Sequence, residues 1–367
     1  MKILFVSKRH PQQRDLIERP YGRFHHLPRL LAARGHDVKV VLCSHRGQPT
    51  LRVPLAGAEW IGLDIRTLGI RRFLQAVKDE ARSFAPDWII GCSDAWYGWL
   101  ASRLASRIGA RLAVDAYDNF EAYMPWNFPL HQLWRHAIRR ADLVTAAGPQ
   151  LAELLQSHRR SRLPAVVLPM AADPEFAPRD KVACRQALGL PTQAIYIGYV
   201  GSWSASRGSV LLMDAFRLAR KVRPDLQLVV SGRPPDRVLN EPGVLATGYL
   251  PDADLPLLVN ALDLACVVTA DTRFGRYSYP AKLCEAMACR VPVVATATDA
   301  VRWMLGGSAD HLVSIGDAHE FSTRMLEMLS RPDANYGALS SWEPVAKVFE
   351  ELLLKAMVRS ETGRAVR

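Results

Sequence analysis

Between residues 277 and 298 the chain reads YSYPAKLCEAMACRVPVVATAT, and its polar residues are spaced for one kind of chemistry. Lys282 and Glu285 stand three apart in a helical stretch, 281–289, so an ammonium and a carboxylate share one face. Ser278, Tyr279 and Pro280 lead into that helix. An almost unbroken apolar run, 291–297, follows it with the length and β-branching of a strand buried on both faces. A loop, a helix N-terminus and a buried parallel strand are the parts with which an α/β sheet holds a phosphorylated ligand at its carboxyl edge. An ordinary αβ unit with a solvated Glu285 has the same pattern, so spacing alone leaves both readings open.

Positioning such a site takes a sheet, and the sequence supplies strand–helix alternation twice. In the first 180 residues, strands at 3–7, 38–43, 88–91, 112–115 and 143–146 alternate with helices at 23–34, 70–84, 96–108 and 129–140. Gly35 stops the first helix. The stretch LPMAADPEFAP (168–178) reads as a linker, and the alternation then restarts. Strands at 196–200, 226–231, 244–247, 264–268 and 312–315 are interleaved with helices at 209–222, 254–261 and 318–330, and a last helix covers 342–357. The expected fold class is α/β, two Rossmann-like domains with parallel sheets facing across a cleft. The expected boundaries are 1–170 and 171–341, with a terminal helix at 342–360 packing back on the first domain. Clefts of that kind are where ligands usually sit. The first strand–loop–helix lacks a GxGxxG sequence, which argues against a dinucleotide site there.

Bulk composition narrows the function. The chain has 367 residues, 49% of them apolar, enough for two cores. No apolar run reaches the roughly 18 residues of a membrane-spanning helix. MKILFVSKRH reads as a first strand rather than a signal peptide, so the expected compartment is the cytoplasm. Six scattered cysteines show no zinc-type grouping and read as reduced core thiols. A net charge of +11 favours an anionic partner. The arginines at 135, 139, 140, 159, 160 and 162 lack the interleaved aromatics that stack bases, so nucleic acid is not expected. A peripheral contact of the 135–140 patch with anionic headgroups stays open, against solvated helix faces.

Four segments of the second half, in order, resemble the retaining glycosyltransferases of family 4, which have the GT-B fold. YVGSWSASRGSVLLMDAF (199–216) resembles the strand, glycine and turn that open the family's donor domain. LQLVVSGRPPD (226–236) resembles the next strand and its glycine, and TGYLPDADLPLLVNALDLACVV (247–268) the base-binding segment. KLCEAMACRVPVVAT (282–296) is similar to the family's EAMA-C-G-x-PVVA signature. The linker and the terminal SSWEPVAKVFEEL (340–352) are similar to the family's connector and last helix. YGRFHHLPRLLAARGHDVKVV (21–41) resembles the glycine-loop helix of the acceptor domain, and between 45 and 165 the likeness is diffuse.

The resemblance implies transfer of a sugar, with retention, from a nucleoside diphosphate sugar to a saccharide, lipid-linked or small-molecule acceptor, without cofactor or metal. The alternatives are a non-catalytic sugar-nucleotide-binding or scaffold protein of the same fold, or a nucleotide-sugar epimerase. Glu285 stands at the family's ribose-binding position, where a carboxylate suits a diol. Arg207 stands where the family usually has Lys, and Gly201, Ser202, Gly232, Arg233, Tyr249, Tyr277, Ser278, Tyr279, Lys282 and Leu283 complete the candidate donor set. Candidates at the strand ends of the first domain are Asp118 and Glu121 for catalysis, beside Arg207, and Asp94, Arg19, Gly22 and Arg23 for the acceptor side. A helix cap by Asp118 or Asn119 is the competing reading, as packing is for His25 and His26. Asp252 and Asp254 form a DxD pair on a turn before a helix, where Asp is routine, and no metal is assigned to them. This sequence departs from the family pattern at Tyr277 (usually Glu), Ser202 (usually Arg), Arg290 (usually Gly) and Met170-Ala171 (usually Asn-Gly). The first of these puts donor-sugar specificity in doubt, and Arg290 adds a charge expected near the donor.

Overall fold

The structure, a computed structural model, describes residues 1–159, 164–201, 203, 208–331 and 334–365, the last seven by backbone only. Two units result, Met1–Met170 with Ser341–Arg367, and Ala171–Ser340.

The first unit runs β1 (Lys2–Lys8), α1 (Arg23–Ala33), β2 (Asp37–Ser44), β3 (Leu51–Leu55), β4 (Ala58–Asp64), α2 (Ile65–Leu68), α3 (Ile70–Phe84) and β5 (Trp88–Cys92). It continues with α4 (Ala95–Ile108), β6 (Arg111–Ala116), α5 (Phe128–Arg140), β7 (Leu143–Ala146), α6 (Pro149–Ser157) and β8 (Val166–Val167). The strands lie in the order β3-β4-β2-β1-β5-β6-β7-β8. Ile3 to Val6 of β1 are buried on both faces, as central parallel strands must be, and Ile3 pairs with Val38 and with Trp88. One edge departs from the parallel expectation: β3 pairs antiparallel with β4. Its tight turn places Ala56 at φ 52° and Gly57 at φ 81°, a conformation normally advertised by Asn-Gly, and Pro54 marks the edge strand.

Helix α3 buries Phe73, Val77, Ala81 and Phe84, one stripe at helical spacing. Helices α4 and α5 meet at Gly98, where an added Cβ would stand 2.5 Å from the ring of buried Trp134; only hydrogen fits. The last helix, α14 in chain order (Trp342–Ala365), packs on α1 within this unit. His26 stacks on Trp342 at 5.7 Å, while Glu350 accepts from Arg34 at 2.6 Å and lies 2.7 Å from His36. His25 stacks on Trp60, so both histidines serve packing.

The second unit runs α7 (Lys181–Ala187), β9 (Ile195–Tyr199), α8 (Ser209–Val222), β10 (Leu226–Ser231), α9 (Asp236–Leu239), β11 (Val244–Gly248) and α10 (Leu255–Ala261). Next come β12 (Leu264–Val267), α11 (Ala281–Ala288), β13 (Val293–Thr296), α12 (Asp299–Met304), β14 (Leu312–Val313) and α13 (Ala318–Leu329). All pairs are parallel, in the order β11-β10-β9-β12-β13-β14. Phe216, Phe321 and Met325 are among the residues of one core cluster, and Leu258, Leu262, Leu283 and Met287 of another. Each such side chain contributes about 1.5–3 kcal/mol. All six cysteines are unpaired.

Candidate functional site

In the second sheet, β9 and β12 are neighbours although strands β10 and β11 come between them in sequence. The chain moves from β9 towards one edge and from β12 towards the other, so a crevice forms at their carboxyl ends. Lys282 and Glu285, one turn apart on α11, line a small recess there with Gly198, Val200, Cys266 and Val267. The Lys282 ammonium stands 3.9 Å from the centre of the Tyr199 ring, the last residue of β9. That cation–π contact, worth about 0.5–2 kcal/mol, holds the charge at the strand end. Gly201 follows with φ 139°, a backbone state closed to other residues, and a Cβ there would come 3.9 Å from the same ammonium. Its N–H donates to Ser231 Oγ at 3.0 Å, while the Trp203 indole N–H donates to the Ser231 carbonyl at 3.1 Å. Trp203 also packs edge-on against Tyr199. Ser231 at the end of β10 thus holds both Gly201 and Trp203. Tyr199, Trp203 and Ser231 were missed as site residues, because a strand-end aromatic and a strand-end serine look like ordinary core and cap positions.

The remaining donor candidates divide. Gly232 backs onto the Gly201 carbonyl, 3.2 Å from where a Cβ would be, and so belongs to the same edge. Arg233 and Tyr249 form a cation–π pair at 5.4 Å on the surface next to it. Tyr277 ends a 3-10 turn, Gly275–Tyr277, whose C-cap is Ser278; both are half-buried. Tyr279 is a correction, because its ring is buried and packs edge-on against Trp303. Leu283 is another: its side chain lies in the core and its amide donates to the Pro280 carbonyl at 3.0 Å. Ser202 and Arg207 lie outside the described residues. The expectation that Arg290 charges the donor site also changes. Arg290 is exposed just beyond the C-terminal end of α11, at φ 57°, the end opposite Lys282.

In the first unit the corresponding switch point lies between β1 and β5. Asp94 follows β5 as the N-cap of α4, without a side-chain cap hydrogen bond, and is half-buried. Burial pushes its carboxyl above the usual range, only partly opposed by Lys8 and the Trp96 and Ala95 amides. Gly22, at φ 61°, is the N-cap of α1, and Arg19 is exposed on the preceding loop. Arg23 overturns its assignment. The guanidinium is 2% exposed and grips Asp115 through two hydrogen bonds of 2.8 and 2.6 Å, and it also donates to the Leu168 carbonyl at 2.9 Å. With the Pro169 carbonyl at 3.3 Å as a further acceptor, four of its five N–H groups are engaged inside the protein, and burial keeps it from a diphosphate in solvent. Glu121 is likewise engaged: it is buried and takes two hydrogen bonds from Arg135, at 2.7 and 2.6 Å, with His131 and His158 close by. Burial alone would raise its carboxyl, but Arg135 holds it below the ordinary value. Asp118 is buried and accepts from the Tyr123 hydroxyl at 2.6 Å. Asn119 is the N-cap of a 3-10 turn but makes no side-chain cap.

Two family models match this chain. "Glycosyl transferase 4-like domain" covers residues 22–171, and "Glycosyl transferases group 1" covers residues 194–331. The chain belongs to the family 4 type of glycosyltransferases. Curated relatives include D-inositol 3-phosphate glycosyltransferases. That of Stackebrandtia nassauensis is 30% identical over 174 residues, 42% of this chain and 38% of that protein. That of Corynebacterium urealyticum is 28% identical over 256 residues, 61% of this chain and 59% of that protein. The chain therefore spans between 38% and 59% of the length of these relatives. Among solved structures, sucrose-phosphate synthase from Thermosynechococcus elongatus matches with a TM-score of 0.72 at 16% identity, over 100% of both chains. Anabaena HepE in complex with UDP-glucose matches with 0.71 at 15% identity, over 99% of this chain and 100% of that one. These likenesses make both units of this glycosyltransferase part of a GT-B fold. Within the family pattern, Met170-Ala171, Tyr277 and Arg290 are its departures among the described residues, and Arg290 now has a location at a helix end.

Proposed function

We propose that this glycosyltransferase moves a sugar from a nucleoside diphosphate sugar to an acceptor hydroxyl with retention of configuration, and that the second unit holds the donor. The observation carrying this reading is the Lys282–Glu285 pair at the crevice between β9 and β12, beside Gly201. A carboxylate accepts both hydroxyls of a ribose diol. An ammonium and close backbone N–H groups suit a pyrophosphate whose charge grows as it leaves. With the diphosphate able to take the acceptor's proton, the chemistry asks for neither a metal nor a Ser/His/Asp set. The HepE structures hold UDP or UDP-glucose, which makes uridine diphosphate sugars the first donors to try. Asp94, whose raised carboxyl sits at a strand end, is assigned to the acceptor hydroxyl. The expected compartment is the cytoplasm, and saccharides, small polyols and lipid-linked sugars are the acceptor classes.

Calorimetric titration with UDP, UDP-glucose and a panel of other nucleotide sugars tests the donor assignment. Binding of at least one of them, weakened by about 1–3 kcal/mol in Glu285→Ala, is the expected result. Unchanged affinity in that variant discards the diol contact. Slow release of nucleoside diphosphate without acceptor separates a transferase from a non-catalytic binder.

A further inference from the structure

Helices α3, α4 and α5 follow β4, β5 and β6, and neighbouring helices of the three are in contact. Each runs back against its strand, and right-handed crossovers put all three on one face of the sheet with their N-terminal ends together. Large apolar side chains are exposed at those ends. Ile70 and Leu74 on α3 are 63% and 41% exposed, Trp96 on α4 is 43% exposed, and Trp126 and Phe128 at the start of α5 are 71% and 69% exposed. Trp99 lies edge-on to Trp96, widening the apolar area along α4. Arg71 and Arg72 are exposed at the same end of α3, while Arg103, Arg107, Arg139 and Arg140 are exposed farther along, towards the C-terminal ends of α4 and α5. Arg140 donates to Ser106 Oγ at 2.8 Å, which ties the outer faces of α4 and α5 together.

Acidic side chains are few on the outside of this surface, where the half-buried Asp94 caps the N-terminal end of α4. Between residues 70 and 78 there is none, and between 95 and 140 the three present, Asp115, Asp118 and Glu121, are all buried. The first exposed acid on α3 is Asp79, towards its far end. Arg135, part of the basic patch read from sequence, drops out because Glu121 holds it. Indole and phenyl rings on one rim with arginines beside them fit the headgroup level of a bilayer, where aromatic side chains anchor and cations meet anionic lipid. Ile70 and Leu74 suit the acyl boundary and offer nothing to a stacked base. Among the described residues no helix is long and apolar enough to cross a membrane, so any attachment through this face is peripheral.

We propose that the N-terminal ends of α3, α4 and α5 form a docking surface for an anionic lipid bilayer, with Trp126, Phe128 and Trp96 entering the interface and Arg71 and Arg72 pairing with headgroups. The surface lies in the first unit and stands apart from the donor assignment, so it is tested by binding alone. Flotation of the full chain with phosphatidylcholine vesicles, with or without about 30% phosphatidylglycerol, at roughly 50 and 500 mM NaCl measures it. Binding to the phosphatidylglycerol vesicles that falls at high salt is the expected result, with a blue shift of tryptophan fluorescence. W126S/F128S should lose about tenfold or more in partitioning, and R71Q/R72Q about thirtyfold at low salt, both with unchanged thermal melts and unchanged UDP affinity. Absence of flotation overturns the proposal, as does wild-type flotation by W126S/F128S or by R71Q/R72Q. Self-association in sedimentation without vesicles, abolished by W126S/F128S, also overturns it in favour of a second copy, and salt-sensitive binding of oligonucleotides lost in the same variants does so in favour of nucleic acid.

Discussion

Arg23→Met is the variant that separates structure from chemistry in the first unit. The guanidinium and the Asp115 carboxylate are each 2% exposed, and Thr145 Oγ1 also donates to Asp115, at 2.6 Å. Methionine fills much of the same volume but removes both charged hydrogen bonds and the contact to the Leu168 carbonyl. Asp115 is then a buried carboxylate with Thr145 as its remaining partner from this network. Breaking one side of a buried pair costs about 3–5 kcal/mol, because the other charge is left uncompensated. At about 2–4 °C per kcal/mol for a domain of this size, the melting transition of the first unit should fall by about 6–20 °C. Differential scanning calorimetry measures the fall. The double variant Arg23→Met/Asp115→Leu, which removes both charges, should recover most of it. Two results refute the reasoning: a single variant that melts within about 2 °C of the parent, or one that melts normally yet loses affinity for a nucleotide sugar. The second would return Arg23 to the ligand.

Four further outcomes are expected. Glu285→Gln should weaken donor binding in calorimetry by about 1–3 kcal/mol while leaving the melt unchanged, since the half-buried side chain keeps its shape. Arg290→Gly should raise the melting transition of the second unit, gaining about 1 kcal/mol, because φ 57° is a left-handed state that glycine adopts freely. Asp94→Asn should stabilise the first unit at neutral pH. Its folded carboxyl is raised, so ionisation is penalised in the fold, and the gain should vanish below the usual carboxylate range in a pH series of melts. Glu350 has the opposite sign. Burial would raise it, but Arg34 and His36 hold it below its ordinary value, so its stabilisation is complete above the carboxylate range and is lost as pH falls through it. Glu350→Gln should remove that part of the acid sensitivity.

Most strands were legible because central parallel strands are uninterrupted apolar runs, as in KILFV and LVVS, and because Gly35, Gly201 and Gly232 punctuate them. The hairpin of β3 and β4 was not, since Ala56 occupies a positive-φ turn position that sequence assigns to Asn or Gly, and Pro54 breaks the run. Of the candidate site, Lys282 and Glu285 were readable from helical spacing together with the family likeness. Arg23 and Glu121 misled because a charged residue near a strand end looks the same whether it meets a ligand or a buried partner. The partners lie far off in sequence for one, at Asp115, and on the next helix for the other, at Arg135. Spacing carries no information about such pairs. Trp203 and Ser231 escaped for the converse reason, since ordinary residue types acquire their role only when two strand ends converge.

The return of α14 to α1 makes the first unit discontinuous along the polypeptide. Trp342 and Glu350, which cover His26, Arg34 and His36, are made after the entire second unit. During synthesis the opening half must wait, with its α1 flank bare, while the later unit has every strand it needs as soon as β14 emerges. Order of completion on the ribosome thus runs opposite to order of appearance, and a fragment cut after residue 170 inherits the bare flank permanently.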